Sequence, residues 1–95
     1  MVVGIGSICL RIAGNSSLKG KRKIVKAVVG RIRSSFNASA AEVGDNDVLQ
    51  RAEIGFALIG NDRRYINSKL DKILNMVSEM CVAEITDSSA EIISL

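Results

Sequence analysis

The hydrophobic pattern changes period along the chain, and each change marks an element. Residues 2–12 alternate, with Ile8, Leu10 and Ile12 on one side, and predict a strand. Gly14-Asn15-Ser16 reads as a turn, and Ser16 or Ser17 can cap a helix running to about Ser34. "FNASAAEV" (36–43) reads as a short strand and "GDND" (44–47) as a turn. Residues 50–60 alternate again, with Ala52, Ile54, Phe56 and Leu58 sharing one face. Asn61 or Asp62 caps a second helix reaching about Met80, whose stripe is Ile66, Leu70, Ile73, Leu74 and Val77. Residues 82–94 form a last strand, interrupted near Asp87–Ser89.

The order β-α-β-β-α-β predicts an α+β, ferredoxin-like domain over residues 1–95. Right-handed crossovers then place both helices on one face of a four-stranded antiparallel sheet, in the spatial order fourth, first, third, second. The other sheet face stays open. It would carry Val3, Ile5, Ser7, Cys9 and Arg11 from the first strand, and Arg51, Glu53, Gly55, Ala57 and Ile59 from the third. Val3, Ile5, Cys9, Ala57 and Ile59 are candidate interface residues for a second copy of the chain. Small sheets also expose some Val and Ile without any partner.

Charge sharpens the picture. Residues 1–41 hold eight basic residues and no acid, whereas residues 42–95 hold five basic and ten acidic residues. Such a split predicts one positive and one negative surface, provided that it survives folding. Seven of the cations lie in "NSSLKGKRKIVKAVVGRIRSS" (15–35), within the first helix. At about 100° per residue, Leu18, Val25, Val28, Val29, Ile32 and Phe36 face the sheet. Arg22, Lys26 and Arg33 share one flank with Gly30, Lys19 and Lys23 lie just beyond, and Lys21 and Arg31 fall on the other side of the apolar stripe. Solvated helices interleave Glu with Lys to relieve repulsion of a few tenths of a kcal/mol per like-charge pair; this helix does not. Two readings stand side by side: a phosphate-binding surface, with Gly30 permitting close backbone approach, or a solvated face paired in space with the acids from Glu42 onward.

Candidate chemistry elsewhere is sparse. "GNSSLKGKR" has five residues between its glycines and Arg after Lys21, so it is no phosphate-binding P-loop. "GIG" (4–6) lacks the third glycine and following helix of a dinucleotide site, and predicts tight packing within a strand. "DND" (45–47) is followed by Leu49 at the next ligand position of a calcium loop, which leaves a turn. The chain has no His, so the commonest general base and metal ligand is missing. Cys9 should face the open sheet side and Cys81 the core, with no zinc spacing and no base nearby. Two cysteines make no disulfide framework, and no apolar run is long enough to span a membrane. These features predict a non-enzymatic, cytoplasmic protein with reduced thiols and no metal or cofactor.

"SLKGKRKIVKAVVGRIRSSFNASAAEVGDNDVLQRAEIG" resembles the signature of the small YlxP-like proteins, a bacterial family of unknown function. The matching positions include Ser17-Leu18-Lys19, Lys21-Arg22, Val25-Lys26, Arg31, Arg33, Phe36-Asn37, Ser39, Ala41-Glu42-Val43, Asp47, Gln50-Arg51-Ala52 and Gly55. The resemblance implies a ferredoxin-like fold. It also implies a role around RNA, because genes of the family often lie beside those for translation initiation and ribosome maturation factors. This chain has Leu49 where the family usually has Trp, and Gly20 where it usually has an acid.

The sequence therefore predicts an accessory protein binding structured RNA or a ribosomal particle. Lys19, Arg22, Lys26 and Arg33 would contact phosphates, assisted by Lys21, Lys23 and Arg51. The alternative is a homodimeric protein-interaction module using the open sheet face.

Overall fold

The computed structural model describes residues 1–95 and contains the six predicted elements in order. They are β1 (Val2–Arg11), α1 (Leu18–Phe36), β2 (Ser39–Gly44), β3 (Arg51–Gly60), α2 (Arg63–Met80) and β4 (Glu84–Ser94). The strands pair antiparallel in the order β2-β3-β1-β4. The fold is the ferredoxin-like βαββαβ arrangement, with α1 over β2 and β3 and α2 chiefly over β1 and β4. Neither helix is long and apolar enough to cross a membrane.

Local chemistry selects the helix ends. The Ser17 hydroxyl accepts from the Gly20 amide at 3.0 Å and caps α1, while Asp62 accepts from the Arg64 amide at 3.1 Å and caps α2. α1 runs past Ser34 to Phe36 and stops at Asn37, which adopts the left-handed conformation (φ 48°). Asn is among the few non-glycine types that enter this region readily. The short second strand therefore begins at Ser39, three residues later than the pattern suggests. The expected interruption of the last strand is a bulge: Cys9 pairs with Asp87 and Leu10 with Ile85, leaving Thr86 as the extra residue. Its hydroxyl donates to the Cys9 carbonyl at 3.3 Å.

One core of 17 buried hydrophobic residues lies between the sheet and the helices. Its centre is aliphatic, with Ile8, Val28, Ile32, Ile54, Ile66 and Ile73 fully buried. Gly4 and Gly6 let this layer close down on β1. A Cβ at Gly4 would stand 2.5 Å from Ile66 Cγ2, and one at Gly6 would enter the ring of Phe56. The "GIG" motif is thus a packing device, as the sequence suggested. Gly30 is different: a Cβ there meets nothing, so no element of the chain approaches it.

Two substitutions separate these roles. Gly6→Ala should destabilise the fold by about 1–3 kcal/mol through overpacking against Phe56. Gly30→Ala should stabilise it by about 1 kcal/mol, the helix-propensity difference. Urea midpoints moving in opposite directions at unchanged m-value would establish both.

Candidate nucleic-acid interface

The outer flank of α1 gathers the cations. Lys19, Arg22, Lys26 and Arg33 are all exposed and follow one another along the side that overhangs the edge strand β2. The Arg33 guanidinium donates to the Ala40 carbonyl of β2 at 2.8 Å, which fixes its stem against the sheet edge. Arg22 borders a small hollow with Leu18, Glu42, Asn46 and Asp47. Lys23 is exposed too, but it turns toward a second hollow beside Ile24, Ala27 and Val82. Glu42 and Asp47 border the stripe at Arg22, but neither forms an ion pair with it within 4.0 Å. The chain has two ion pairs within 4.0 Å, Arg11–Glu84 and Lys21–Glu42. Lys19, Arg22, Lys23, Lys26 and Arg33 have no carboxylate partner, and Glu84, Asp87 and Glu91 lie on β4, at the far edge of the sheet.

Two predicted contact residues leave this surface. Lys21 is buried, with 1% of its surface exposed, and its Nζ sits 3.0 Å from Glu42 Oε2 and donates to the Asp45 carbonyl. It stands seven and eleven residues before Val28 and Ile32, the spacing of one helix face. α1 is turned so that this row points inward, while Leu18, expected in the core, is 40% exposed. Lys21 is a structural cation and not a phosphate contact. Arg51 is exposed on the open sheet face, beside its cross-strand neighbour Arg11, because Ala52 next to it faces the core. The sheet separates it from the α1 flank.

The loops next to Lys21 are tied together by Asn15. Its Nδ2 donates to the carbonyls of Ser17 (2.9 Å) and Leu49 (2.6 Å), and Gln50 Nε2 donates to its carbonyl at 2.8 Å. A Cβ at Gly20 would collide with this Asn15 side chain. The Gly20 that distinguishes the chain's pattern thus gives Asn15 its place against the first turn of α1.

The open sheet face is as mixed as expected. Val3, Cys9 and Ala57 are half-buried, while Ile5 and Ile59 are exposed. A shallow hollow of about 420 Å³ runs over Gly55 between Ile5 and Val43. Cys9 does face this side; burial, then Glu53, Asp87 and Asp45, push its thiol above the ordinary value. Cys81 does not face the core. It is exposed and ends α2 in the left-handed conformation (φ 54°), with its amide on the Ser78 carbonyl. The helix stops there, so the apolar period does not carry through to Cys81.

Two measurements test these placements. Glu42→Leu should destabilise the protein by about 3–5 kcal/mol, because it strands the buried Lys21 ammonium, and Lys21→Met added to it should recover most of that loss. The check is a double-mutant cycle by denaturant unfolding. Iodoacetamide near pH 8 should alkylate Cys81 well before Cys9, whose raised pKa leaves little thiolate until the pH is higher. Mass spectrometry of timed samples would read the two rates.

Comparison with known proteins agrees with this architecture. The model of a family described as "Protein of unknown function (DUF503)" matches residues 3–90. The uncharacterized protein YlxP of Bacillus subtilis (strain 168) is 31% identical over 75 residues, covering 79% of this chain and 82% of that protein. Among solved structures, protein YJCS superposes with a TM-score of 0.62 at 10% identity, covering 97% of this chain and 99% of its own. A de novo designed protein with ferredoxin fold superposes with a TM-score of 0.53 at 12% identity, over 98% and 83% of the two chains. These two show a shared fold. The chain belongs to the DUF503 family of small proteins of unknown function, in which the uncharacterized YlxP is its relative.

Proposed function

We propose that this protein is a non-enzymatic, cytoplasmic accessory factor that binds structured RNA, and specifically a ribosomal particle, through the outer flank of α1. The observation that carries this reading is the unpaired stripe of Lys19, Arg22, Lys26 and Arg33. Four like charges on one flank repel one another, and none of them has a carboxylate within 4.0 Å. A phosphate backbone would. Such contacts supply affinity and register without reading sequence, so shape and backbone spacing decide what is bound. The ribosome as target follows from the genomic association that the YlxP-like resemblance implies.

Cosedimentation with ribosomal particles is the direct test. Wild type should travel with a subunit at low salt and be released at high salt, with log affinity falling against log salt at a slope of roughly −3 to −4 for four phosphates neutralised. Lys19→Glu, Arg22→Glu and Lys26→Glu together should abolish the association; Arg33 is left intact because it also holds Ala40. Wild type remaining at the top of the gradient under all conditions would remove the proposal's support.

A second reading rests on the open sheet face, where Ile5 is 42% and Ile59 68% exposed beside Val3, Cys9 and Ala57. This surface suits a second copy of the chain. Sedimentation equilibrium should then show a concentration-dependent dimer that Ile59→Lys converts to a monomer. A strict monomer at high concentration would end that reading.

A further inference from the structure

Two of the chain's three aromatic residues meet where α1 ends and α2 begins. Phe36 is the last residue of α1 and is half-buried. Tyr65 lies in the first turn of α2 and is 55% exposed. Lys69 follows Tyr65 by one helical turn and places its Nζ 5.1 Å from the Tyr65 ring centre and 5.9 Å from that of Phe36. The three side chains line a hollow of about 330 Å³ with Leu58, Ile59, Ser35 and Asn37. Ser35 and Asn37 are exposed polar residues on its rim.

This composition selects a class of ligand. A purely apolar ligand would make no use of Ser35, Asn37 and Lys69, which water otherwise partners, and a free phosphate would have no use for two rings. A flat heteroaromatic ligand uses every part: its face can stack on Tyr65 beside Leu58, and its polar edge meets the Asn37 amide and Ser35 hydroxyl. The Lys69 ammonium, held over both rings by cation–π attraction, faces the carbonyls or the phosphate of such a ligand. The volume falls in the range of small-ligand pockets. Arg33, the last cation of the α1 stripe, comes directly before the Ser34–Asn37 segment that borders the hollow.

We propose that the hollow between the end of α1 and the start of α2 holds one unpaired nucleobase, stacked on Tyr65. The proposal rests on the reading of α1 as an RNA-binding flank: the stripe would grip the backbone of a structured RNA, and a bulged or terminal nucleotide would enter at Arg33.

Two experiments test it. In an NMR titration, adenosine 5′-monophosphate should shift the Tyr65 and Phe36 ring resonances to saturation, and ribose 5-phosphate should not. Tyr65→Ala should remove the response and Tyr65→Phe keep it, while the Lys19, Arg22 and Lys26 charge reversals leave it in place. No shift with the nucleotide, or equal shifts with both ligands, would overturn the proposal. On RNA, Tyr65→Ala should weaken binding to a hairpin with one unpaired adenine by about 5- to 150-fold, the range for loss of one base–aromatic stack. Binding to the fully paired stem should be unchanged. Equal losses on both RNAs, or no loss on either, would refute the nucleobase site and leave the backbone reading standing. Failure of wild type to bind any RNA would sink the backbone reading, and the mononucleotide titration would still decide the hollow.

Discussion

A lysine ammonium buried between α1 and the β2 edge sets the orientation of the first helix. Lys21 reaches Glu42 on β2 and the Asp45 carbonyl in the loop that follows. Taking two charges out of water costs several kcal/mol per ion before their attraction returns it, so such a pair adds little net stability. It does restrict geometry. A helix rotated away from this orientation would leave the ammonium and the buried Glu42 Oε2 unmatched. Fixing Lys21 inward fixes Arg22, Lys26 and Arg33 outward on the flank beyond it, because the helical period leaves them no other place. Leu18 points to nearly the same side as the buried Val29, but as the first residue of α1 it lies at the helix end and is left exposed.

The charge split is a consequence of topology as well as composition. The basic first half contributes α1, which lies over β2 and β3, while Glu84, Asp87 and Glu91 of the second half fall on β4 at the opposite sheet edge and Glu42, Asp45 and Asp47 stay beside the start of α1. Glu42, which borders the same hollow as Arg22, is taken by Lys21 and thereby withdrawn from Arg22. The internal pair therefore leaves Arg22 without an ion-pair partner within 4.0 Å. The resulting field is that of an exposed surface, screened within about 10 Å at 0.1 M salt.

The elements, their order and the sheet topology were legible in the sequence because each depends on local period and on a handedness rule. So were the choice of Gly4 and Gly6 for close packing and the side of the sheet taken by Cys9. The misplaced residues share one cause: their side-chain type argued against their periodic position, or the period was carried too far. Lys21 holds a core position by spacing, but its charge argued for the surface. Cys81 is apolar, but it falls one residue past the end of α2. Arg51 joined the cations by charge alone, although the alternation of β3 puts it on the opposite face from α1. The aromatic hollow was illegible for another reason. Phe36 and Tyr65 are separated by the whole β2–β3 hairpin, and only the folded chain brings the end of one helix to the start of the next.

The two proposed surfaces lie on opposite sides of one sheet, and this decides whether they compete. The cations belong to the helical layer and Val3, Ile5 and Ala57 to the open face, while Ile59 lies on the open face and also borders the aromatic hollow. A dimer formed through the open faces would leave the cations uncovered and touch the hollow only at Ile59. In a dimer of that kind each copy would keep its own α1 flank. Each copy would then bind its RNA with its own four-cation stripe, and the salt slope per chain would be the same for monomer and dimer.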